Sequence, residues 1–310
     1  MTKILITGGS GLVGQAIFNL IDNKKNYIFA GSKDGDLSNY DSCYNLFQIH
    51  KPTHVVHLAA YVGGLFKNMN HKVDMFEKNL MINYNVVKCS HIFKVKKFIG
   101  CLSTCIFPDK TTYPINEKML NLGPPHNSND AYSYAKRMLD MHCQSYRQEY
   151  NDNFFCIIPT NIYGPNDNFN LEDSHVIPGL IHKCYLAKKN NKDFIVSGSG
   201  KPLRQFIYSY DLARIIIWLI NNDEINQNII ISPDENQEVT IKEISEIIAS
   251  NFNYLNRLKF DLTKSDGQYK KTADNKKLKK FYGDLNLVDI KLGILETIKW
   301  FCNNYENCRK

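Results

Sequence analysis

A glycine-rich segment near the start of the chain constrains the fold more than any other feature. It follows an apolar run from Lys3 to Thr7, which predicts a short buried strand, and it precedes a helix-like apolar pattern that runs to Ile21. Glycines let a backbone turn sharply and approach a pyrophosphate, which then lies at a helix N-terminus. The spacing departs slightly from the usual dinucleotide pattern, but its place between a strand and a helix favours dinucleotide binding over an ordinary tight turn. The predicted cofactor-binding residues here are Gly8, Gly9, Ser10, Gly11, Leu12, Val13 and Gly14.

Further strands and helices alternate along the first half of the chain. Apolar runs predict strands at 27–30, 53–58, 98–102 and 154–158, and a helical pattern covers 75–93. Alternation of this kind is typical of a parallel sheet with helices on both faces. We therefore predict an α/β fold, a Rossmann-like doubly wound parallel sheet whose ligands collect beyond the carboxyl ends of the strands.

The pattern changes after residue 165, where a polar, loop-like stretch begins. The helical pattern at 211–220 and the apolar run at 228–231 indicate a return to the sheet. We predict an NADP-binding Rossmann domain at residues 1–165, joined by about 204–232. The remaining residues, 166–203 and 233–310, are predicted to form a smaller C-terminal α/β substrate-binding domain.

The end of the second predicted strand bears on the choice of nicotinamide cofactor. NAD-binding folds usually place an acidic residue there, which binds a ribose hydroxyl. Here the strand runs into Gly31-Ser32-Lys33, whose hydroxyl and cation suit the 2′-phosphate of NADP. We therefore predict NADP, although Asp34 and Asp36 follow closely and keep NAD open.

A Tyr-x-x-x-Lys pair lies in the stretch 128–136, at Tyr132 and Lys136. Residues four apart lie on one face of a helix. A phenol has an unperturbed pKa of about 10, and a nearby ammonium lowers that pKa towards the range where proton transfer is useful. On its own such a pair is more often a solvated helix face, so its interpretation depends on the other motifs.

Composition and charge exclude several classes of protein. The net charge is +7, a mild excess that suits a small anionic substrate and does not indicate a nucleic-acid partner. Nine cysteines without Cys-x-x-Cys spacing argue against a disulfide framework and a zinc site, so we predict no metal. The N-terminus lacks the apolar core of a signal peptide, and the longest apolar run, Ile215–Ile220, is too short to cross a bilayer. We expect a cytoplasmic protein without membrane association.

Ser103, the Tyr132–Lys136 pair and the segment Pro159-Thr160-Asn161 accompany the glycine-rich segment. Together they resemble the extended short-chain dehydrogenases/reductases that act on nucleotide sugars. Longer stretches are similar to those family members that epimerise and then reduce a GDP-4-keto-6-deoxyhexose, and the resemblance covers nearly the whole chain. These stretches are residues 57–65, 103–108, 123–129, 159–169, 175–178, 204–208 and 264–268.

The resemblance implies a residue for each chemical step. A ketone at C4 acidifies the hydrogens on C3 and C5, and epimerisation there needs a base and an acid. The implied base is the Cys105 thiolate and the implied acid is the His175 imidazolium. For reduction at C4, Tyr132 donates the proton, Lys136 activates it and contacts the nicotinamide ribose, and Ser103 stabilises the oxygen. The structural alternatives are that Cys105 is a small buried residue, that His175 caps a helix and that Ser103 caps a loop.

The resemblance also implies ligand contacts. NADP is expected to contact the glycine-rich segment, Ser32 and Lys33. The resemblance adds further NADP contacts at Lys136, Pro159, Thr160, Asn161, Ile162 and His175. For a GDP-sugar substrate it implies Lys183, Ser197, Arg204 and Asp266. The two cations suit a diphosphate, and the carboxylate suits hydroxyl or guanine N–H donors. Family members commonly have Trp where this chain has Ser197. The serine therefore lacks the large flat surface that a Trp would offer to the nucleotide.

The implied activity is the NADPH-dependent conversion of GDP-4-keto-6-deoxy-D-mannose to GDP-L-fucose, by 3,5-epimerisation and 4-keto reduction. The resemblance also implies a homodimer formed through the helices near 75–93 and 131–150. Two alternatives remain open at this point. One is an NAD-dependent nucleotide-sugar 4-epimerase or 4,6-dehydratase, which Ser32-Lys33 and Cys105 disfavour. The other is a catalytically inactive NADP-binding regulator, which the intact set of catalytic residues disfavours.

Overall fold

The computed structural model describes residues 2–264 and 266–310, so Ser265, within the stretch 264–268, lies outside the described residues. The strands are β1 (Ile4–Thr7), β2 (Tyr27–Ala30), β3 (His54–His57), β4 (Lys97–Cys101), β5 (Phe154–Pro159), β6 (Asn161–Tyr163), β7 (Phe194–Ser197), β8 (Leu203–Arg204), β9 (Phe206–Tyr208), β10 (Ile229–Ile231), β11 (Val239–Thr240) and β12 (Leu258–Asp261). The helices are α1 (Leu12–Leu20), α2 (Tyr40–His50), α3 (Leu65–Asn70), α4 (Lys72–Ile92), α5 (Asp130–Tyr150), α6 (Val176–Lys189), α7 (Ser209–Asn221), α8 (Ile241–Asn251), α9 (Lys276–Tyr282) and α10 (Ile290–Asn303).

One six-stranded sheet forms the centre of the fold. Its strand order is β10-β5-β4-β3-β1-β2, and every neighbouring pair is parallel. Because β1 lies between β2 and β3, the chain leaves the middle of the sheet in two directions. This is the doubly wound arrangement, so the predicted α/β, Rossmann-like fold is confirmed.

Alternate residues of each central strand enter different apolar layers. Leu5 of β1 packs with residues of α2, α4 and α5, whereas Ile4 and Ile6 pack with α1 and α7. In β4, Phe98 faces the first layer and Ile99 faces the second. Strands buried on both faces are typical of parallel sheets between two layers of helices. The carboxyl ends of β1 and β4 are therefore held at one edge of a rigid sheet.

A third apolar cluster lies among α6, α8, α10 and β7. It includes Ile181, Phe194, Ile248 and Ile298, and also Phe206 of β9. Meanwhile β10, within the range 204–232, pairs with β5 in the main sheet. The exact domain boundaries stay a prediction, because Phe206, within the range assigned to the Rossmann domain, packs in the third apolar cluster with residues assigned to the second domain.

Three further features concern membranes, metals and cysteines. Among the described helices, none combines the length and hydropathy that a bilayer-crossing segment requires. The same residues contain no group of three or more His, Cys, Asp or Glu side chains arranged to hold a metal ion. The nine cysteines are free thiols, although Cys143 Sγ and Cys156 Sγ lie 3.9 Å apart.

A buried ammonium joins the amino end of β4 to the end of α7. Lys97 is 1% exposed, and its Nζ donates to the carbonyl oxygens of Leu219 (3.1 Å), Ile220 (3.2 Å) and Asn222 (2.8 Å). Asp223 lies 2.6 Å from the same Nζ. A cation that satisfies the last carbonyls of a helix also interacts favourably with the helix dipole.

We expect Lys97→Met to lower the free energy of unfolding by about 1.5–3 kcal/mol, the range for hydrogen bonds to a charged group. Methionine keeps most of the apolar stem but leaves the carbonyls without their donor. Urea denaturation measures the change. Lys96→Met, at the exposed neighbouring position, is the matched control and should alter stability by less than about 0.5 kcal/mol. Equal effects of the two substitutions would contradict this account of Lys97.

Candidate active site

Strand β4 ends at Cys101, and the chain soon turns into a short 3-10 helix at Thr104–Ile106. Ser103 caps this helix, because its Oγ accepts a hydrogen bond from the backbone N–H of Cys105 at 3.4 Å. The capping alternative for Ser103 is therefore realised, yet a hydroxyl that accepts one bond keeps its own O–H to donate. Cys105 is buried, with 9% of its surface exposed.

Helix α5 places two further predicted residues beside this turn. Lys136 Nζ donates to the carbonyl of Cys101 at 2.8 Å and lies 5.7 Å from the centre of the Tyr132 ring. Tyr132 is near enough to Cys105 for the charge of one to affect the other. The structure thus brings together Ser103, Cys105, Tyr132 and Lys136, which we name the active-site cluster.

Burial dominates the electrostatics of this cluster. It raises the pKa of Tyr132 well above its ordinary value, and Cys105 and Cys101 raise that pKa further. Burial likewise lowers the pKa of Lys136. The prediction that Lys136 lowers the pKa of the phenol is wrong for this structure, because the pKa of Tyr132 is set by removal from water and by the charges of Cys105 and Cys101. The phenol stays protonated near neutral pH, which is the state a proton donor needs.

The glycine-rich segment forms a turn too tight for side chains. Gly8 has a φ of +73°, and a Cβ there would lie 2.8 Å from the backbone nitrogen of Ala59. A Cβ at Gly14 would lie 2.6 Å from the carbonyl oxygen of Gly8. The backbone N–H of Gly9 donates to Ala30 at 2.8 Å, which holds the turn against the end of β2. Ser10 and Gly11 precede α1, and Leu12 and Val13 are its first two residues.

The end of β2 lies against the same turn. A Cβ at Gly31 would come within 2.8 Å of Ser10 Oγ, and the next two residues, Ser32 and Lys33, are exposed. Asp34 accepts a hydrogen bond from the Gly31 N–H at 2.8 Å. Asp36 accepts hydrogen bonds from the backbone N–H (2.9 Å) and the Oγ (2.7 Å) of Ser38. Both acidic residues that keep NAD open therefore bond within their own loop, whereas the side chains of Ser32 and Lys33 remain accessible.

The end of β5 carries the next predicted cofactor residues. Pro159 is the last residue of β5, and Asn161 and Ile162 open β6. Asn161 donates to the carbonyl of Gln205 through its backbone N–H (3.3 Å) and its side-chain Nδ2 (2.9 Å). Thr160 Oγ1 is buried and has no hydrogen-bond partner among the described residues. A buried hydroxyl left unpaired at a strand's carboxyl end suits a polar ligand.

His175 stands at the start of α6, on a different element from the residues of the active-site cluster. It is the N-cap residue, but its side chain makes no capping hydrogen bond among the described residues, so the helix-cap alternative is not realised. The protein around it removes part of its hydration, which lowers its pKa. The preceding loop is anchored by Asp173, which pairs with Lys67 at 2.8 Å and accepts from the Gly64 N–H at 2.8 Å.

The predicted substrate residues lie on another set of elements. Arg204 of β8 donates to the carbonyls of Gln268 (2.6 Å) and Tyr269 (3.3 Å). Asp266 accepts from the backbone N–H (2.6 Å) and Oγ (2.7 Å) of Ser199. Both side chains therefore tie the segment 266–269 to its neighbours. Lys183 is half-buried on α6, and Ser197, expected in a turn, is the last residue of β7.

A model of the family described as "NAD dependent epimerase/dehydratase family" matches residues 4–232. The chain belongs to this family. The predicted family resemblance is confirmed by this match and by the relatives described next.

Several relatives that match nearly the whole chain are named GDP-L-fucose synthase. GDP-L-fucose synthase of Dictyostelium discoideum is 52% identical over 99% of this chain and 97% of its own length. A probable GDP-L-fucose synthase of Drosophila melanogaster is 49% identical over the whole of both chains. The crystal structure of a GDP-L-fucose synthetase from Naegleria fowleri bound to NADP has a TM-score of 0.94 and 47% identity, covering 100% of this chain and 95% of that one.

Sequence reasoning missed a half-buried lysine near the cluster. Burial lowers the pKa of Lys271 to about 8, the charge of Cys105 raises that pKa, and Arg204 lowers it. Lys271 therefore lies close to both a predicted catalytic residue and a predicted substrate residue. Its only sequence signal is its place just after the stretch 264–268.

A polar network behind the cluster was also missed. His57 of β3 pairs with Thr7 Oγ1 at 2.7 Å and with Asn83 Oδ1 at 3.1 Å. Asn83 Nδ2 in turn donates to the carbonyl of Ala135 at 3.3 Å. Burial and the charge of Lys136 lower the pKa of His57 to about 3, so the imidazole is neutral. This network connects β1, β3 and α4 to the helix that carries Tyr132 and Lys136.

For cofactor choice, we expect NADPH to bind at least about tenfold more tightly than NADH, a difference of about 1.4 kcal/mol. Lys33→Glu should narrow that ratio, because it places a carboxylate where the 2′-phosphate is expected. Fluorescence titration of the reduced cofactors measures both affinities. Lys25→Glu makes the same charge change just before β2, at its opposite end, and should leave the ratio unchanged. An unaltered ratio in Lys33→Glu would exclude Lys33 from the cofactor site.

Proposed function

We propose that this protein converts GDP-4-keto-6-deoxy-D-mannose to GDP-L-fucose, by epimerising C3 and C5 and then reducing the C4 ketone with NADPH. The observation that carries the proposal is the place of Cys105. It lies two residues after Ser103, close enough to Tyr132 and Lys136 for its charge to affect both. Simple carbonyl reduction requires no thiol beside its proton donor, whereas epimerisation requires a further base. The names of the full-length relatives support the same activity.

Epimerisation uses the acidity of the hydrogens on either side of the C4 ketone. In the proposal, the Cys105 thiolate removes a proton and the His175 imidazolium returns one to the opposite face. An ionised Cys105 raises the pKa of Lys271, Lys136 and Arg137, so three cations interact favourably with a thiolate at this position.

Reduction follows at C4. NADPH supplies the hydride when it is bound. Tyr132, whose raised pKa keeps it protonated, donates its phenolic proton to the C4 oxygen as charge develops there. Ser103 donates its free O–H to the same oxygen, and such a preorganised donor stabilises the developing charge. Lys136 stabilises the phenolate that remains and contacts the nicotinamide ribose.

The residues that would hold NADP surround the carboxyl edge of the sheet. The tight glycine turn admits a pyrophosphate at the start of α1, Ser32 and Lys33 suit the 2′-phosphate, and the unpaired hydroxyl of Thr160 suits a polar group. The full proposed set is Gly8, Gly9, Ser10, Gly11, Leu12, Val13, Gly14, Ser32, Lys33, Lys136, Pro159, Thr160, Asn161, Ile162 and His175.

The GDP-sugar would lie between the cofactor and the second predicted domain, 166–203 with 233–310. Arg204 and Lys183 supply positive charge for its diphosphate, and Asp266 supplies an acceptor for hydroxyl or guanine N–H groups. Ser197 offers only a small side chain at the nucleotide end. The alternative of an NAD-dependent 4-epimerase or 4,6-dehydratase has less support, because two relatives that are 52% and 49% identical to this chain carry the names GDP-L-fucose synthase and probable GDP-L-fucose synthase.

We also propose a homodimer formed through α4 and α5. These helices pack against each other, and they expose large apolar side chains, including Met81, Tyr84, Tyr134, Met138 and Met141. An apolar surface of this kind is typical of a protein interface. The unpaired thiols suit a reducing compartment, so we further propose a cytoplasmic location.

Substitutions at Tyr132 and Cys105 should separate the two chemistries. Tyr132→Phe removes the proton donor for reduction, so the variant should exchange the C3 and C5 hydrogens with deuterated water while oxidising almost no NADPH. Cys105→Ala should reduce that exchange by about 10²-fold or more, the contribution of a general base. Mass spectrometry measures the exchange and NADPH absorbance measures the reduction.

Matched control substitutions test whether these effects are specific to Tyr132 and Cys105. Tyr134→Phe changes an exposed phenol on the same helix, and Cys184→Ala removes a buried thiol from α6. Both should retain exchange and reduction. Wild-type exchange in Cys105→Ala would remove Cys105 from the mechanism, and full reduction by Tyr132→Phe would remove Tyr132.

For the dimer, Met138→Glu places a charge on the exposed apolar face of α5 and should shift the protein to monomers. Burying an unpaired carboxylate in an interface is strongly unfavourable. Light scattering after size exclusion measures the mass. Leu292→Glu, at an exposed apolar position on α10, is the control and should remain dimeric. A monomeric wild type, or a dimeric Met138→Glu, would contradict the proposed interface.

A further inference from the structure

We propose that Ser133 and Arg137 are positioning residues, which hold the turn that bears Cys105 at a fixed place relative to Tyr132. Neither residue follows from the motif pattern, because each lies one position after a member of the Tyr132–Lys136 pair. The inference rests on the proposed function, in which Cys105 is the base of epimerisation. It adds to that function an account of how the position of the Cys105 thiol is fixed.

Ser133 makes the first of the contacts with the turn. It is fully buried, and its Oγ donates to the carbonyl oxygen of Cys105 at 3.0 Å. Serine hydroxyls inside helices usually bond to a carbonyl of their own helix. Here the hydroxyl crosses to another segment, and it bonds to the residue that carries the thiol.

Arg137 makes the second and third contacts. Its Nε donates to the carbonyl of Ile106 at 2.7 Å, and its Nη2 donates to the carbonyl of Gly123 at 2.8 Å. Only 8% of the residue is exposed. The planar guanidinium therefore joins two loops to α5 at once, the turn after β4 and the segment that leads into the helix. A lysine in this position has no such fork of donors.

Helix α5 holds both the Cys105 thiol and the Tyr132 phenol in place. Ser133 and Arg137 are four residues apart, as are Tyr132 and Lys136, so two neighbouring faces of α5 hold the two reactive groups. Ser103 is anchored differently, because the N–H of Leu102 just before it donates to Ile157 in the sheet at 2.9 Å. Loosening the contacts of Arg137 would thus displace Cys105 more than Ser103.

The charge of Arg137 agrees with this role. Burial lowers its pKa, and the ionised forms of Tyr134 and Cys105 raise it. An arginine stays protonated in proteins in any case. A buried guanidinium beside the turn therefore interacts favourably with a thiolate as well as holding its backbone.

The test compares the exchange step with the hydride step in the intact enzyme. Exchange of the C3 and C5 hydrogens of GDP-4-keto-6-deoxy-D-mannose in deuterated water reports on Cys105. Oxidation of GDP-L-fucose by NADP⁺, measured at alkaline pH, reports on Tyr132 without the thiol. In this direction a hydride moves from C4 to the nicotinamide, and the hydroxyl proton moves to the phenolate form of Tyr132. The variants are Arg137→Met, Arg137→Lys and Ser133→Ala. Their matched controls on α5 are Arg147→Met, whose Nη1 donates to Phe154, and Ser145→Ala, whose Oγ donates to Met141.

For Arg137→Met, we expect kcat for exchange to fall about 10- to 100-fold, the scale of a small misplacement of a reacting group. Oxidation of GDP-L-fucose and the KM of both substrates should change by less than about threefold. Ser133→Ala should show the same pattern more weakly. Arg137→Lys should recover part of the exchange rate, since it restores a cation and a donor. Both controls should match the wild type.

Three results would overturn the inference. They are wild-type exchange in Arg137→Met and Ser133→Ala, equal losses of exchange and oxidation in those variants, or the same loss of exchange in the Arg147→Met control. Cys105→Ala measured in parallel separates the inference from the proposed function. If Cys105→Ala loses exchange but the two positioning variants do not, only the positioning roles fail. If Cys105→Ala keeps exchange, the proposed function of the thiol fails first.

Discussion

The site depends on one buried ammonium. Lys136 is 1% exposed, and its Nζ donates to the carbonyl of Cys101 at the end of β4. A buried cation without a partner costs several kcal/mol, so α5 cannot move away from the strand without a large loss of stability. Tyr132 lies one helical turn before this contact, which sets its distance from Ser103 beyond the strand end. The sheet thereby determines the position of a helix that is remote from it in sequence.

A second buried side chain connects the two predicted halves of the site. Gln205 accepts from Asn161 through its backbone carbonyl and from the Ala273 N–H (2.8 Å) through its side-chain oxygen. Its Nε2 donates to the carbonyls of Pro233 (3.0 Å) and Ala273 (3.2 Å). Gln205 directly follows Arg204 of β8. It therefore connects three elements: β6, which carries predicted cofactor residues, β8, which carries a predicted substrate residue, and the segment before α9. Satisfied buried networks of this kind make a structure rigid and specific.

Much of this architecture follows from local patterns. Three of the features are local in sequence: the alternation of strands with helices, the glycine-rich turn, and the spacing of Tyr132 and Lys136. The parallel sheet and the shared helix face of this pair were therefore predictable. Strands β6, β8, β9 and β11 were not, because two or three residues show no periodicity and their partners are distant in sequence. The same distance in sequence concealed Lys271, whose position near Cys105 arises only from tertiary packing. The direction of the pKa shift at Tyr132 was mispredicted because a sequence shows which charges are near but not how much water the fold removes.

The late position of β10 in the chain has a consequence for biosynthesis. This strand covers the free side of β5, yet Ile229–Ile231 leaves the ribosome long after Phe154–Pro159. In the interval, β5 presents unpaired backbone N–H and C=O groups, which can pair with another nascent chain. Incomplete chains of large proteins aggregate through such edges, and chaperones protect them. The time that the ribosome spends on the residues between β5 and β10 is therefore the period in which a growing polypeptide most needs that protection.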